Sequence, residues 1–389
     1  MKKRILSASA CCLLAASLFA GCIYFNSITY MQEISTENPE TVAAFDDFLN
    51  DIFVAEVTEN TINLHFTLSN PKEYGITDYP ISLGNISETA AADSNARLEN
   101  YLAGLDAFDY TELTLNQQLT LDILKSYMKL QLDMSDLYLY DEPLRPSTGI
   151  QSQLPILYEE YKFNNEQDVK DYLALIALTG DYFDQIIAFE QQKADAGLFM
   201  ADYSCNTIID QCNSFIADEE NHYLKETFNN KIDKLDTLSL AKRDSYKLQN
   251  EQMVSEYIIP AYKNLAAALK TLAGSGSNEN GLCYFPEGKT YYEYLLAYNT
   301  GSSKTVKELE TMISNERVRV LQESSDLTTE NPELWDLTSE ASLIPTDPTT
   351  TLNRLKEAML ADFPAPPDTN FTVSYIDDCV ADYLAPAYY

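Results

Sequence analysis

Histidine is nearly absent: the 389 residues contain 2, His65 and His222. Neither opens the His-Glu-x-x-His arrangement that sets two imidazoles on one helix face with a base between them, so this sequence carries no zinc-hydrolase motif. Phosphate-cradling loops are lacking too. "GSGSN" at 274–278 has Glu279 where a third glycine would stand, and no Walker lysine follows. It also follows a helical stretch rather than a strand, the wrong context for a nucleophile elbow. Basic residues are few, 26 against 60 acidic, for a net charge of −34. Such a surface repels phosphate backbones and anionic bilayers, which argues against nucleic-acid binding and against membrane docking through a basic patch. It suits cationic ligands or plain solvation, and solvation is the simpler reading. With 60 acidic residues, spacing neither supports nor excludes a paired-carboxylate glycosidase. No repeat of 33 to 47 residues is evident, which argues against a solenoid.

Cysteine is sparse, and most of it is accounted for. Of the 7, Cys11 and Cys12 lie in an N-terminal targeting segment. There "MKKR" is a basic opening and "ILSASACCLLAASLF" an apolar run of secretory length, short for a membrane span. It ends in Ala20-Gly21-Cys22, which resembles a bacterial lipoprotein signal in which the Cys22 thiol takes a lipid and becomes the mature N-terminus. An ordinary cleaved signal with a chance cysteine is the alternative. Cys205 and Cys212 share one face of a helical run but stand about 10.5 Å apart along it, too far for a disulfide, so they read as core residues. A Cys283–Cys379 bridge is left open.

What the sequence has in quantity is helical periodicity. The reading is residues 1–21 as signal, 22–40 as a polar tether, and 41–389 as an all-α body of about a dozen helices with a minor β element near the C-terminus. The first helix is expected from Thr41. "TLNQQLTLDILKSYMKLQLDM" opens on a Thr114/Gln117 capping box and draws a stripe through Leu115, Leu119, Ile123, Tyr127, Leu130 and Met134. Residues 165–197 read as two helices broken near Thr179-Gly180 and closed by Gly197. Residues 239–274 read as one kinked helix, because the apolar period does not shift at Pro260. A second capping box, Thr305/Glu308, starts a later helix. Residues 325–348, with Trp335, read as a polar connection, and 370–375 as a strand.

Few residues are candidates for chemistry. His65, between Leu64 and Phe66, either packs with its nitrogens satisfied or points into a cleft. His222 and Glu226 stand four apart and could share a face with a cation, although a solvated surface pair is the simpler reading. Tyr291, Tyr294 and Tyr298 form a stripe with Leu295 that suits a helix–helix core or the lining of a wet cleft.

Four stretches taken together, "FTLSNPKEYGI", "LPILYEEYKFNNEQDVKDYLALIALTGDYFDQIIAFEQQKADAGLFM", "FPEGKTYYEYLLAYNTGSSKTVKELE" and "DDCVADYLAPAYY", resemble bacterial proteins of the domain-of-unknown-function 885 family. The similarity runs from about Thr41 to the last residue. It implies a helical, exported or lipid-anchored protein related to zinc metallopeptidases, hydrolases that hold a peptide in a cleft between helices. The family's His-Glu-x-x-Pro-Gly-His type motif lies C-terminal to the region matched here. No catalytic or metal-binding residue of the family can therefore be placed on this sequence, and zinc is expected only in a full-length relative. The expectation is a non-catalytic N-terminal portion, C-terminally incomplete, anchored by Cys22 on the extracytoplasmic face of a bacterial membrane. The rival reading is a complete, non-catalytic surface lipoprotein that binds a cationic peptide or a protein partner.

Overall fold

The computed structural model describes residues 36–276, 278–334, 347–365 and 373. Thirteen α-helices and no strand occur among them. Cys22, Trp335, Cys379 and, apart from Val373, the strand expected at 370–375 lie outside the described residues. The chain divides into two compact units, the first running to Gly301 and the second beginning at Ser302.

In the first unit the helices are α1 (Pro39–Thr58), α2 (Thr61–Thr67), α3 (Glu88–Asp106), α4 (Leu115–Asp133), α5 (Ile150–Glu160), α6 (Glu166–Asp195), α7 (Asp202–Phe215), α8 (Tyr223–Asp233), α9 (Leu240–Met253), α10 (Ile259–Leu272) and α11 (Gly288–Thr300). Local chemistry sets most of their starts. Thr114 and Gln117 form the expected capping box of α4, and Asn165 and Asp168 form another at α6. The first helix starts earlier than Thr41. Asn38 Oδ1 accepts the Glu40 N–H and Pro39 occupies the first turn, where its missing donor costs nothing.

Helix α6 is unbroken over 30 residues, which corrects the expected break at Thr179-Gly180. The Thr179 hydroxyl donates back to the Leu175 carbonyl, and a side chain at Gly180 would meet nothing within 4 Å. Tertiary burial outweighs the low helix propensity of the pair. Val169, Tyr172, Leu175, Ile176, Phe183 and Ile186 have 0% exposure, so α6 is the axis of the main core, enclosed by α5, α7, α8 and α10. The helix is long and apolar enough to cross a membrane, but half of its most apolar window is buried in this core.

The α9–α10 segment is continuous across Pro260, as the period implied. A π-turn over Val254–Ile258 joins the two helices, and the Ile259 N–H donates to the Val254 carbonyl five residues back. The wider turn absorbs the kink caused by a proline that has no N–H to give. A second core joins α1, α3 and α4 through Phe45, Ile52, Leu105, Leu121, Leu124 and Met128. The buried face of α4 is thus the one carrying Gln117, Leu121, Leu124 and Met128, not the stripe beginning at Leu115, which is 42% exposed. Apolar residues surround much of α4, so periodicity alone picked a flanking face. Phe45 against Phe108, edge-on at 5.1 Å, closes this core.

Lys231 of α8 ties the end of α5 down. Its ammonium donates to the Tyr158 and Glu159 carbonyls at 2.8 and 2.7 Å, groups left without intrahelical partners at a helix C-terminus. It also lies 5.1 Å from the ring centroids of both Phe163 and Tyr172.

In the second unit, α12 (Val306–Glu330) starts on the expected Thr305/Glu308 capping box. It runs past residue 325 into what had read as a polar connection. α13 (Pro348–Met359) follows, capped by Asp347. Neither helix has a buried residue; Ile313, Val318 and Leu321 of α12 and Leu355 of α13 are exposed.

Candidate functional site

Any imidazole chemistry in this chain must use one of its two histidines. His65, on α2, is positioned by Asn60, whose Oδ1 caps the helix through the Asn63 N–H and whose Nδ2 donates to the Leu83 carbonyl. Its ring stacks on Tyr161 at 3.7 Å and 10°. Nε2 accepts the Lys162 backbone N–H at 3.2 Å. Burial pulls its pKa from 6.5 down to about 4, opposed by Asp171. The ring is therefore neutral, with its proton on Nδ1 and its lone pair in use. Nearby, Asp171 is buried and accepts from the Tyr79 hydroxyl and from Gln167 Nε2, both at 2.8 Å. Burial and that bond push the Tyr79 phenol up.

His222 is 2% exposed, which corrects its reading as half of a solvated pair. It is the N-cap of α8, and its Nδ1 accepts the Leu224 N–H at 3.3 Å. Phe215 meets it edge-on at 4.7 Å and Tyr223 stacks on it at 5.3 Å. Burial, then Lys225, pulls its pKa down to about 4. Its proton is on Nε2, so it too has no lone pair to give a metal. Sequence did not show this, since histidine is not among the Ser, Thr, Asp and Asn residues that mark an N-cap.

His222 and the exposed Glu226 line a surface cavity of about 450 Å³. Glu220 and Asn229 also line it, and Glu251 closes it from α9. Its charged walls are three glutamates against Lys225, so it favours a cation. The part played by Glu251 was not legible, because it depends on α9 packing beside α8.

The tyrosines of α11 form a row. Tyr291 lies 5.4 Å from Tyr140 and 5.6 Å from Tyr294, Tyr294 lies 5.6 Å from Tyr298, and Tyr298 lies 5.3 Å from Tyr127 of α4. Tyr291 is buried; Tyr294 and Tyr298 are half-buried. The row thus begins as core and ends as partly solvated wall. A side chain at Gly288, where α11 starts, would collide with the Leu282 carbonyl, so glycine is required there.

The thiols do not supply a nucleophile. Cys205 and Cys212 are fully buried on α7, and burial pushes them up to about 11 and about 12. Cys283 is free and exposed. Nor do the described residues fit a zinc site. Both imidazole lone pairs are taken by backbone amides, and no group of three His, Cys, Asp or Glu side chains among these residues could hold one ion.

The model of the family described as "Bacterial protein of unknown function (DUF885)" matches residues 72–386. The chain belongs to that family. A crystal structure of a candidate lipoprotein from Colwellia psychrerythraea shares its fold, with a TM-score of 0.72 over 89% of this chain at 14% identity. The chain spans 64% of the length of that structure. No curated protein matches it.

Proposed function

We propose that this chain is the non-catalytic helical portion of a lipid-anchored, exported family member, and that it contributes walls against which a peptide is held. The observation that supports the non-catalytic reading is the use of both imidazole lone pairs by backbone amides, His65 at Lys162 and His222 at Leu224. In a zinc peptidase a metal-bound water attacks the scissile carbonyl with a carboxylate as base, and this requires about three protein ligands. Such ligands would come from a longer relative. The tyrosine row would serve as a wall, with rings for apolar contact and hydroxyls for the peptide backbone. The expected result is less than 0.1 zinc per chain, on the order of background, after dialysis of the purified protein against zinc, and no cleavage in a peptide-library digest. One tightly held zinc with chelator-sensitive cleavage would overturn the reading.

A second reading, a surface lipoprotein that binds a cationic peptide, is favoured by the three glutamates of the α8 cavity. Adding oligolysine to the dialysed protein separates the two. Saturable binding that salt abolishes, and that Glu251→Gln weakens, would move the second reading ahead.

The anchor is proposed at Cys22, from the basic opening, the apolar run and Ala20-Gly21-Cys22. Each buried methylene of an acyl chain contributes ~0.8 kcal/mol, so two or more chains hold firmly. Mass spectrometry of the mature N-terminal peptide from a bacterial host should show a lipid adduct on Cys22, absent in Cys22→Ala. An unmodified wild-type peptide would refute it.

A further inference from the structure

We propose that Glu190 and Lys193 form a pH-operated latch on Tyr140–Glu142, in the middle of the segment joining α4 to α5: when the Glu190 carboxyl ionises, the Lys193 ammonium leaves the Asp141 carbonyl to pair with it, and Tyr140–Glu142 is released. The two residues stand three apart on α6 and so share a face. Glu190 has 0% exposure, and neither carboxyl oxygen has a hydrogen-bond partner among the described residues. Lys193 is 2% exposed, with its Nζ 2.6 Å from the Asp141 carbonyl oxygen. A neutral carboxyl tolerates such a place far better than a carboxylate, which must find a counter-charge or return its proton.

The groups acting on Glu190 are Lys193 on its own helix, Asp141 and Glu142 in the segment before α5, and the Cys205 thiol of α7. Burial raises its pKa to about 7, Lys193 opposes the rise, and Glu142 and Asp141 add to it. Ionisation therefore falls near neutrality, and the ammonium three residues away is the cation placed to answer it. Otherwise the Asp141 N–H donates to the Tyr138 carbonyl at 3.1 Å, the Glu142 N–H donates to Asp141 Oδ1 at 2.8 Å, and Arg145 pairs with both side chains at 3.6 Å, all near solvent. Further along, the Ile150 N–H holds the Pro143 carbonyl and Gln211 holds that of Pro146, so release is confined to Tyr140–Glu142. Those residues connect to the tyrosine row. Tyr140 lies tilted against Tyr291 and its hydroxyl accepts the N–H of Glu287, the residue that opens α11. The latch thus links pH to the placement of the α11 wall.

Hydrogen exchange of amides 140–142, corrected for the intrinsic base-catalysed rate, tests this between pH 6 and pH 8.5. Wild type should lose about tenfold in protection across the range. Glu190→Gln, which cannot ionise, should stay protected throughout. Lys193→Met should be unprotected at both ends, with circular dichroism checking that its helices remain. Wild-type protection that does not change with pH, or a Glu190→Gln protein that follows wild type, overturns the proposal.

Discussion

Phe228→Ala will destabilise the first unit by about 4 kcal/mol. The side chain has 0% exposure and packs from α8 against α6 and the loop that precedes it. Its ring packs edge-on against Phe163 at 5.2 Å and tilted against Tyr172 at 5.4 Å. Removing it takes away apolar burial, leaves a cavity and breaks both aromatic pairs, each worth roughly 0.5–1.5 kcal/mol beyond area. The surrounding rings cannot collapse into the gap, because Tyr172 and Tyr161 are themselves buried and pack on each other at 5.8 Å. Urea denaturation followed by circular dichroism measures the loss. Tyr203→Ala, at a residue 77% exposed, serves as control and should change stability by less than about 0.5 kcal/mol. A Phe228→Ala protein within about 1 kcal/mol of wild type would mean that this cluster does not carry the core.

The features legible in the sequence are those that depend on neighbours in the chain. The Thr114/Gln117 and Thr305/Glu308 boxes, the closing Gly197 and the continuous run through Pro260 each follow from residues within about five positions. The misreadings have a common origin in packing. Thr179-Gly180 looks like a break until α6 is known to be enclosed by four helices, at which point a weak pair is carried by its neighbours. The stripe of α4 was read one face away because Leu105 of α3 and Phe45 of α1 decide which side is inside. The candidate sites divide in the same way. The spacing of Tyr291, Tyr294 and Tyr298 showed a shared face but not that Tyr127 and Tyr140 extend the row at both ends. His65 gives its lone pair to Lys162, 97 positions away, and Asp171 holds Tyr79 from 92 positions away. No local pattern encodes such pairs. Glu190 and Lys193 have an ordinary helical spacing, and only their burial makes them unusual.

That burial gives stability a pH dependence. With the Glu190 pKa raised from 4.5 to about 7, the folded state holds a proton that the unfolded chain releases earlier. The sign follows directly: the group contributes its full stability below pH 4.5, loses it as pH rises toward 7, and is flat above that. The whole swing is about 3 kcal/mol, at 1.36 kcal/mol per unit. It coexists with the titration of 60 acidic residues, so the pH profile of wild type alone cannot isolate it. The difference between Glu190→Gln and wild type can, because glutamine has nearly the same shape and no titration. The substituted side chain adds an unsatisfied amide, but that offset does not vary with pH. Measured by urea denaturation from pH 5.0 to 8.5, above the sequence pI of 4.2 where solubility is poor, the variant should gain on wild type steadily up to neutrality. The gain should then level off at about 2–3 kcal/mol. If Lys193 swings over to pair with the carboxylate, it recovers part of the penalty, and the plateau will sit at the lower end of that range. A difference that stays constant across the whole interval would mean that Glu190 is ionised in the folded protein at all these pH values, with a partner that relieves its burial.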